Sequence, residues 1–532
     1  MKNQTGIKDI FWFSIIAVVI LAFSSIPYWA AHSAETDKLL FRGIYFGEAD
    51  YAVHISMMQA GRMGDWVYQM RFTSEDHQPA FLRMFYIVLG HISKWINLDV
   101  ETTFHLARWV FGIAALYSIY QLCKRIFPNQ NYARAAFLLS VLGAGVGWIQ
   151  LMLGAPLEPI SPIDFWLIDA YVFFSISLFP SYSFTLTLMA SALNLYLDYL
   201  DSGRWQTIIF IGLLSIASQI ANPIAFAVID VAFVGATFFL WWKNRKVELR
   251  HFYALGIIAL AQIPLLTYNF LILQRDPVWS QYTLQHQTFS PPPIFYIWGF
   301  APFWAFAIYG MILAFCKRNP GLGAMTAWVV SGFILAYLPI LSQRRFILGI
   351  TIPLGILAIY GLAHIIQKIS VKYPTILRRE GLIYFSYILL ASISSIYLSL
   401  GLSLYMQTRP GNNFYPRDLE TALVWLNENS SPNDFVLADV KTSQLVAQRT
   451  SLRVYVGHEM ETINFEDKKS SMETYYEGKL TEDWLIKTRV KWVIYGPYEK
   501  NISSSFAPDL RLEKVYENGS VIIYKVKQKS HS

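Results

Sequence analysis

Charge is scarce in this chain. Asp, Glu, Lys and Arg make up 15% of its 532 residues, against 54% hydrophobic and 16% aromatic residues. A soluble domain carries about 25% charged residues, so the composition excludes an ordinary soluble protein and points to lipid. Cysteine is nearly absent, with only Cys123 and Cys316 present. Two cysteines cannot build a disulfide scaffold, and each stands beside a Lys-Arg pair at the end of an apolar run, where packing accounts for it. The halves show no internal repeat of the kind many transporters carry. One run, GAGVG at 143–147, imitates a nucleotide loop, but it lies inside an apolar stretch, so close helix packing is its expected role. The net charge of +7 is spread over short loops, and no nucleic-acid partner is expected.

Apolar runs are what the chain has in quantity, many of them at the roughly 17–25 residues needed to cross a bilayer. Spans are expected near 10–32, 104–122, 135–153, 182–199, 206–222, 223–242, 252–272, 294–315, 323–341, 346–366 and 383–406, about eleven in all. The first run is too long for a signal-peptide core, and Ser-Ile-Pro-Tyr-Trp makes a poor cleavage site, so it reads as an uncleaved span. Lys and Arg recur in KNQTGIK, CKRIFPNQNYAR, LDSGRW, KNRKVELRH, CKRNPG and QKISVKYPTILRREG. These are the inner loops of a polytopic α-helical membrane protein whose N-terminus is cytoplasmic. The opposite loops are nearly free of basic residues, apart from Arg275 and the pair Arg344-Arg345. An odd number of spans then leaves the tail extracytoplasmic. Residues 80–96 are apolar but interrupted by Arg83, His91 and Lys94. Counting them as a span would put KNRKVELRH outside, so an interfacial helix on the outer leaflet is expected instead.

Two domains follow: a transmembrane domain, 1–406, with a large first outer loop at 33–103, and an extracytoplasmic domain, 407–532. The tail opens on a Pro-Gly linker. It continues with an amphipathic helix around Leu419–Leu426, a strand at Phe435–Val440, and strand-like runs RVYVG, KWVIYGP and SVIIYKV. Between them lie the helical patterns FEDKKSSMETYYEG and TEDWLIKTR, an α/β alternation sized for one small domain. With no glycine loop and no catalytic cluster, it reads as a docking or substrate-guiding module.

The first outer loop is the place for chemistry. Glu48 and Asp50 follow Gly47, and SEDHQP, with Asp76 and His77, comes about two dozen residues later. A carboxylate at a membrane surface can take a proton from an acceptor or hold a divalent cation, and no metal is assigned here. The bland alternative is a solvated acidic loop. Arg344 and Arg345 stand at the outer mouth of a span against the positive-inside trend, where guanidiniums cost free energy unless paired. Phosphate is the anion arginine binds best, whether on ordinary membrane lipids or on a lipid-linked substrate. Asp230, inside IAFAVIDVAFVG, is expected to make a buried hydrogen bond. The polar, aromatic segment 275–293 is either a lining for a sugar site or an ordered connection.

EAD (Glu48, Ala49, Asp50), GDW (Gly64, Asp65, Trp66) and HQPA (His77, Gln78, Pro79, Ala80) form a set that resembles the GT-C superfamily of membrane glycosyltransferases. Protein O-mannosyltransferases and the aminoarabinose transferase of lipid A are the types it is most similar to. There an acidic pair in the first loop precedes a Gly-Asp-Trp-like turn and then HPPL or KPPL. Here Ala49 splits the pair, the second proline is missing, and the tail differs, so the acceptor does not carry over. Either Glu48 or Asp50 matches the acid of the family, and the spacing to GDW favours Asp50 for one member. The resemblance implies a polyprenyl-phosphate sugar donor, a lipid, glycan or protein acceptor, and an inverting displacement. Asp50 would be the general base with Glu48 in support. Arg344 and Arg345 would hold the donor phosphate, and Asp76 or His77 the sugar, the phosphate or a cation. A polyprenyl-linked sugar flippase or a non-catalytic lipid-binding assembly protein is the rival expectation.

Overall fold

In lipid every backbone amide must be satisfied within its own segment, so apolar runs coil into helices. The structure, a computed structural model, describes residues 2–154, 161–480 and 482–527. Among the described residues, five helices are long and apolar enough to cross a membrane: Gly6–Ser33, Val100–Ile126, Ala225–Asn244, Leu249–Arg275 and Thr351–Ser370. Two bent pairs, Pro293–Gly299 with Ala301–Lys317 and Glu380–Ala391 with Ile393–Gln407, raise the number to as many as seven. Gln206–Ala221 and Pro320–Leu335 are apolar but shorter. Length and composition therefore support a multi-pass helical protein at a lower span count than the eleven expected.

The expected run 135–153 is not one helix. It ends at Leu142, passes through GAGVG, and restarts as Gly147–Met152. Close packing is still the reason for the glycines: a Cβ at Gly145 would lie 2.6 Å from the Gly299 carbonyl oxygen, and one at Gly147 2.5 Å from Asp164.

Two compact units divide the chain. The first comprises Met1–Ile26, His105–Tyr268 and Thr288–Leu402. Its helices pack in pairs, Ala225–Asn244 on Pro320–Leu335 and Ala301–Lys317 on Thr351–Ser370. Asp230 receives two hydrogen bonds from Gln262 Nε2, at 3.0 and 3.2 Å, so the polar contact expected of it is present, though partly rather than fully buried.

The second unit comprises Pro27–Phe104, Asn269–Gln287 and Ser403–Ser532. The division thus departs from the expected boundary at 406/407, because residues 33–103, expected as the first outer loop, fold with the tail. A short antiparallel pair, β1 (Leu39–Phe41) with β2 (Phe414–Pro416), fastens the two together. The tail carries a five-stranded mixed sheet of β3 (Phe435–Leu437), β4 (Arg453–Val454), β5 (Val490–Tyr495), β6 (Leu512–Asn518) and β7 (Val521–Val526), in the order β4-β3-β5-β7-β6. β4, β3 and β5 run parallel, while β7 is antiparallel to β5 and β6.

Two helices of this unit, Glu48–Met63 and Met84–Trp95, cross at glycines. The second has 12 residues, about 18 Å at 1.5 Å per residue, too short for a hydrocarbon core of about 30 Å. The expected non-spanning helix is present, but it packs on Glu48–Met63, burying Met84, Ile87, Leu89 and Gly90. A Cβ at Gly90 would lie 2.0 Å from the Met58 carbonyl oxygen, and one at Gly61 2.1 Å from that of Ile87. Gly90→Ala must push the helices apart, at a cost of about 1–3 kcal/mol or more. A thermal-unfolding midpoint unchanged from the parent protein would refute this crossing.

Candidate functional site

Gly47 starts the acidic helix. Its φ of 74° lies in the left-handed region, which a residue without Cβ adopts without strain. Glu48 and Asp50 follow in the first turn, where the positive end of the helix dipole favours carboxylates. Residues two apart on a helix point to different sides, and the two acids accordingly differ in surroundings. Glu48 accepts a 2.5 Å hydrogen bond from Asn413 Nδ2. It also lies within electrostatic reach of the buried Arg42, whose charge is disfavoured by burial and supported by Glu48. Asp50 is 63% exposed, with His458 Nε2 3.7 Å from its Oδ1. Of the split pair, Glu48 is held by Asn413 and Asp50 is the more solvent-exposed.

The GDW turn ends the same helix. Gly64, at φ 121°, returns its N–H to the carbonyls of Ala60 and Gly61. Trp66 stacks on His91 at 3.9 Å between ring centroids, and the Asp65 carbonyl oxygen meets His91 Nε2 at 2.9 Å.

SEDHQP is a fastened loop. His77 Nε2 accepts from the Met70 N–H at 2.9 Å, which leaves Nδ1 as the donor to the Glu75 carbonyl oxygen, also at 2.9 Å. Burial pushes the pKa of His77 below its ordinary value. Asp76 pairs with Arg489 at 2.7 Å on an exposed surface, and Glu75 with Lys468 at 2.7 Å. The Gln78 N–H donates to Asp276, and Trp279 Nε1 donates to the Gln78 carbonyl oxygen. The segment 275–293 thus contributes a short helix, Pro277–Gln285, whose buried Trp279 and Tyr282 brace this loop. The side chains of Asp76 and His77, expected to touch substrate, make loop-fastening contacts here: Asp76 through Oδ2 to Arg489, and His77 through both ring nitrogens.

A second polar group was not anticipated from sequence. Glu461 is almost fully buried and receives Arg83 Nη1 at 2.7 Å and the Tyr68 hydroxyl at 2.6 Å. Arg83 also donates to the Tyr282 hydroxyl. Burial opposes the Arg83 charge, but Tyr282, Glu461, Tyr68 and Asp50 outweigh it and hold the guanidinium above its usual pKa. Burial and Glu461 together push the Tyr68 hydroxyl well above its ordinary value.

The arginine pair belongs to the first unit. Arg344 and Arg345 lie in a 3-10 turn, Gln343–Ile347, anchored by the Arg344 N–H on the Thr288 carbonyl oxygen at 3.0 Å. Arg344 stacks over Trp166, 5.1 Å from the ring centroid, and Arg345 reaches the Tyr182 hydroxyl at 3.3 Å. Asp169 is buried beside both. Burial pushes its pKa up against the pull of Arg345 and Arg344, and burial lowers that of Arg344 against the support of Asp169. The Asp169 carboxylate thus acts on both guanidiniums. The loop that anchors Arg344 leads into an apolar groove of about 380 Å³ lined by Pro293, Tyr296, Trp304 and Phe333.

Among the described residues, no three His, Cys, Asp or Glu side chains converge as a metal-ion cage. Glu461, His458, Asp169 and Tyr282 were missed in the sequence, since nothing local marks a residue whose partner is distant along the chain.

No family profile and no curated protein matches the sequence. Solved structures do. An oligosaccharyltransferase from Archaeoglobus fulgidus, solved in the apo form, shares 13% identity over 91% of this chain and 70% of its own, with a TM-score of 0.54. ArnT from Cupriavidus metallidurans, solved with undecaprenyl phosphate, shares 12% over 97% of each chain, with a TM-score of 0.51. The arabinofuranosyltransferase AftD from Mycobacteria shares 13% over 98% of this chain and 42% of its own, with a TM-score of 0.54. The chain therefore shares its fold with the oligosaccharyltransferase, ArnT and AftD.

Proposed function

We propose that this chain is a membrane glycosyltransferase that moves a sugar from a polyprenyl-phosphate donor to an extracytoplasmic lipid, glycan or protein acceptor. The observation that carries the reading is Asp50, an exposed carboxylate in the first turn of the acidic helix, on a fold shared with ArnT and an oligosaccharyltransferase. Asp50 takes the proton of the acceptor hydroxyl or amine as that atom bonds to the anomeric carbon. The bond from that carbon to the donor phosphate breaks, polyprenyl phosphate departs with the electron pair, and attack from the opposite face inverts the anomeric centre. Arg344 and Arg345 bind the donor phosphate and stabilise the charge gathering on it. The apolar groove beyond their loop suits a prenyl chain. Glu48 supports the site by holding the helix start to Asn413. Asp76 and His77 enter as the fasteners of the loop that follows.

Purified protein in lipid nanodiscs, given a panel of labelled polyprenyl-monophosphate sugars and an envelope extract as acceptor, should release polyprenyl phosphate and label the extract. In sealed vesicles a flippase would relocate the donor intact, and an assembly protein would bind it unchanged. Either result would sink the reading.

The orientation is part of the proposal: N-terminus cytoplasmic, tail outside. Ser504 and Asn244 are both exposed, so a cysteine at either is within reach of a thiol reagent once the exposed Cys316 is replaced. In intact cells an impermeant maleimide should label the cysteine at 504 and spare the one at 244. The reverse pattern would overturn the topology.

A further inference from the structure

We propose that His458, from the tail, is a positioning residue for Asp50, so that the tail completes the acidic site instead of only docking or guiding substrate. The proposal rests on the reading of Asp50 as the base.

The tautomer follows from a backbone donor. The Met460 N–H can only donate, and it points at His458 Nδ1 at 3.0 Å, so Nδ1 is an acceptor and the ring proton sits on Nε2. Nε2–H is the atom that faces Asp50 Oδ1, at 3.7 Å. That separation exceeds a hydrogen bond, but the Asp50 side chain is largely exposed while the imidazole is 7% exposed. A small turn of the carboxylate closes the contact, and apo geometries of this kind commonly tighten in the complex. With one oxygen held by Nε2–H, the other is aimed at the acceptor proton.

The turn that carries His458 is built to stay where it is. The Thr462 hydroxyl accepts from the N–H groups of Gly457 and His458 and donates to the Phe72 carbonyl oxygen at 2.6 Å. The N–H groups of Glu461 and Thr462 both return to the His458 carbonyl oxygen. One residue before Thr462, the buried Glu461 grips Arg83 and Tyr68 of the outer loop. The imidazole edge rests on Phe72 at 5.8 Å. A single turn of the tail thus fastens the loop through Glu461 and faces its exposed acid through His458.

Two substitutions separate positioning from mere structure. Asn at 458 can still accept the Met460 N–H near the place of Nδ1, but it has no donor where Nε2 was. Gln at 458 places an amide N–H near the place of Nε2. With the donor that the wild-type protein consumes from the panel, His458→Asn should slow turnover about ten- to a hundredfold, the worth of one hydrogen bond to a charged group. The KM for the donor should stay unchanged. His458→Gln should recover most of the loss, and Asp50→Asn with His458→Asn should be no slower than Asp50→Asn alone. Equal rates for the Asn and Gln variants, or independent losses in the double variant, would overturn the proposal. A second readout needs no turnover. In protein labelled with ¹⁵N-histidine, the Nε2–H resonance assigned by its loss in His458→Gln should move on Asp50→Asn. If Asp50→Asn leaves turnover intact, the base assignment falls, and the resonance still decides the contact. An unmoved resonance sinks the pairing by itself.

Discussion

Asp50→Asn is expected to leave donor binding intact and to lower turnover by about 10²–10⁴-fold, the usual contribution of a positioned base. The substitution keeps the size and polarity of the side chain and removes only its capacity to take a proton. Asp50 is more than half exposed, so the loss should not come from misfolding. Glu48→Gln should behave differently. Its amide oxygen can still accept from Asn413, while the buried Arg42 loses a supporting charge, so the effect should fall on stability more than on rate. The comparison needs a transferring acceptor, because slow hydrolysis of the donor would mask the difference. Abolished transfer in Glu48→Gln beside an active Asp50→Asn would move the base two residues upstream. Normal transfer by both would remove the acidic helix from the chemistry altogether.

The Glu48–Asp50 comparison also marks where sequence reading stops. Periodicity and length reveal that a segment is a helix, and the apolar runs, the polar segment after the first of them and most of the tail pattern were legible for that reason. Helix Val440–Arg449 was not: ten residues after a three-residue strand offer little periodicity. Strand β6 was not either, because LEKVYEN is an edge strand with mostly outward side chains, and edge strands are kept charged. GAGVG was read correctly as close packing, yet placed mid-helix, since a glycine run marks close approach without saying whether the helix survives it. The site follows the same rule. Gly47, the split acids and the GDW turn are neighbours in sequence and could be found there. The partners that distinguish Asp50 from Glu48, namely His458 and Asn413, lie hundreds of residues downstream. Arg83 reads in the sequence as an interruption of an apolar run. Only the buried Glu461 makes it a clamp.

Asp169 is a further partner of this kind, and it changes what is expected of the arginines. Read alone, Arg344 and Arg345 demanded an anion. The structure places the Asp169 carboxylate beside both guanidiniums, so a donor phosphate competes with Asp169 for them. Replacing both arginines with Gln should cost about 1.5–3 kcal/mol for each lost charge-assisted phosphate contact, roughly ten- to a hundredfold in donor affinity per residue. Asp169→Asn should act with the opposite sign: it removes the competing charge, so donor affinity should hold or rise, while the loss of a carboxylate beside two half-buried cations should lower thermal stability. Ordinary anionic headgroups would also feel the arginine loss, so the measurement is donor binding in nanodiscs of zwitterionic lipid, titrated with polyprenyl phosphate. Unchanged affinity in the double arginine variant would return the pair to generic headgroup binding. Weakened affinity in Asp169→Asn would mean that the carboxylate holds the arginines in place for the donor instead of competing with it.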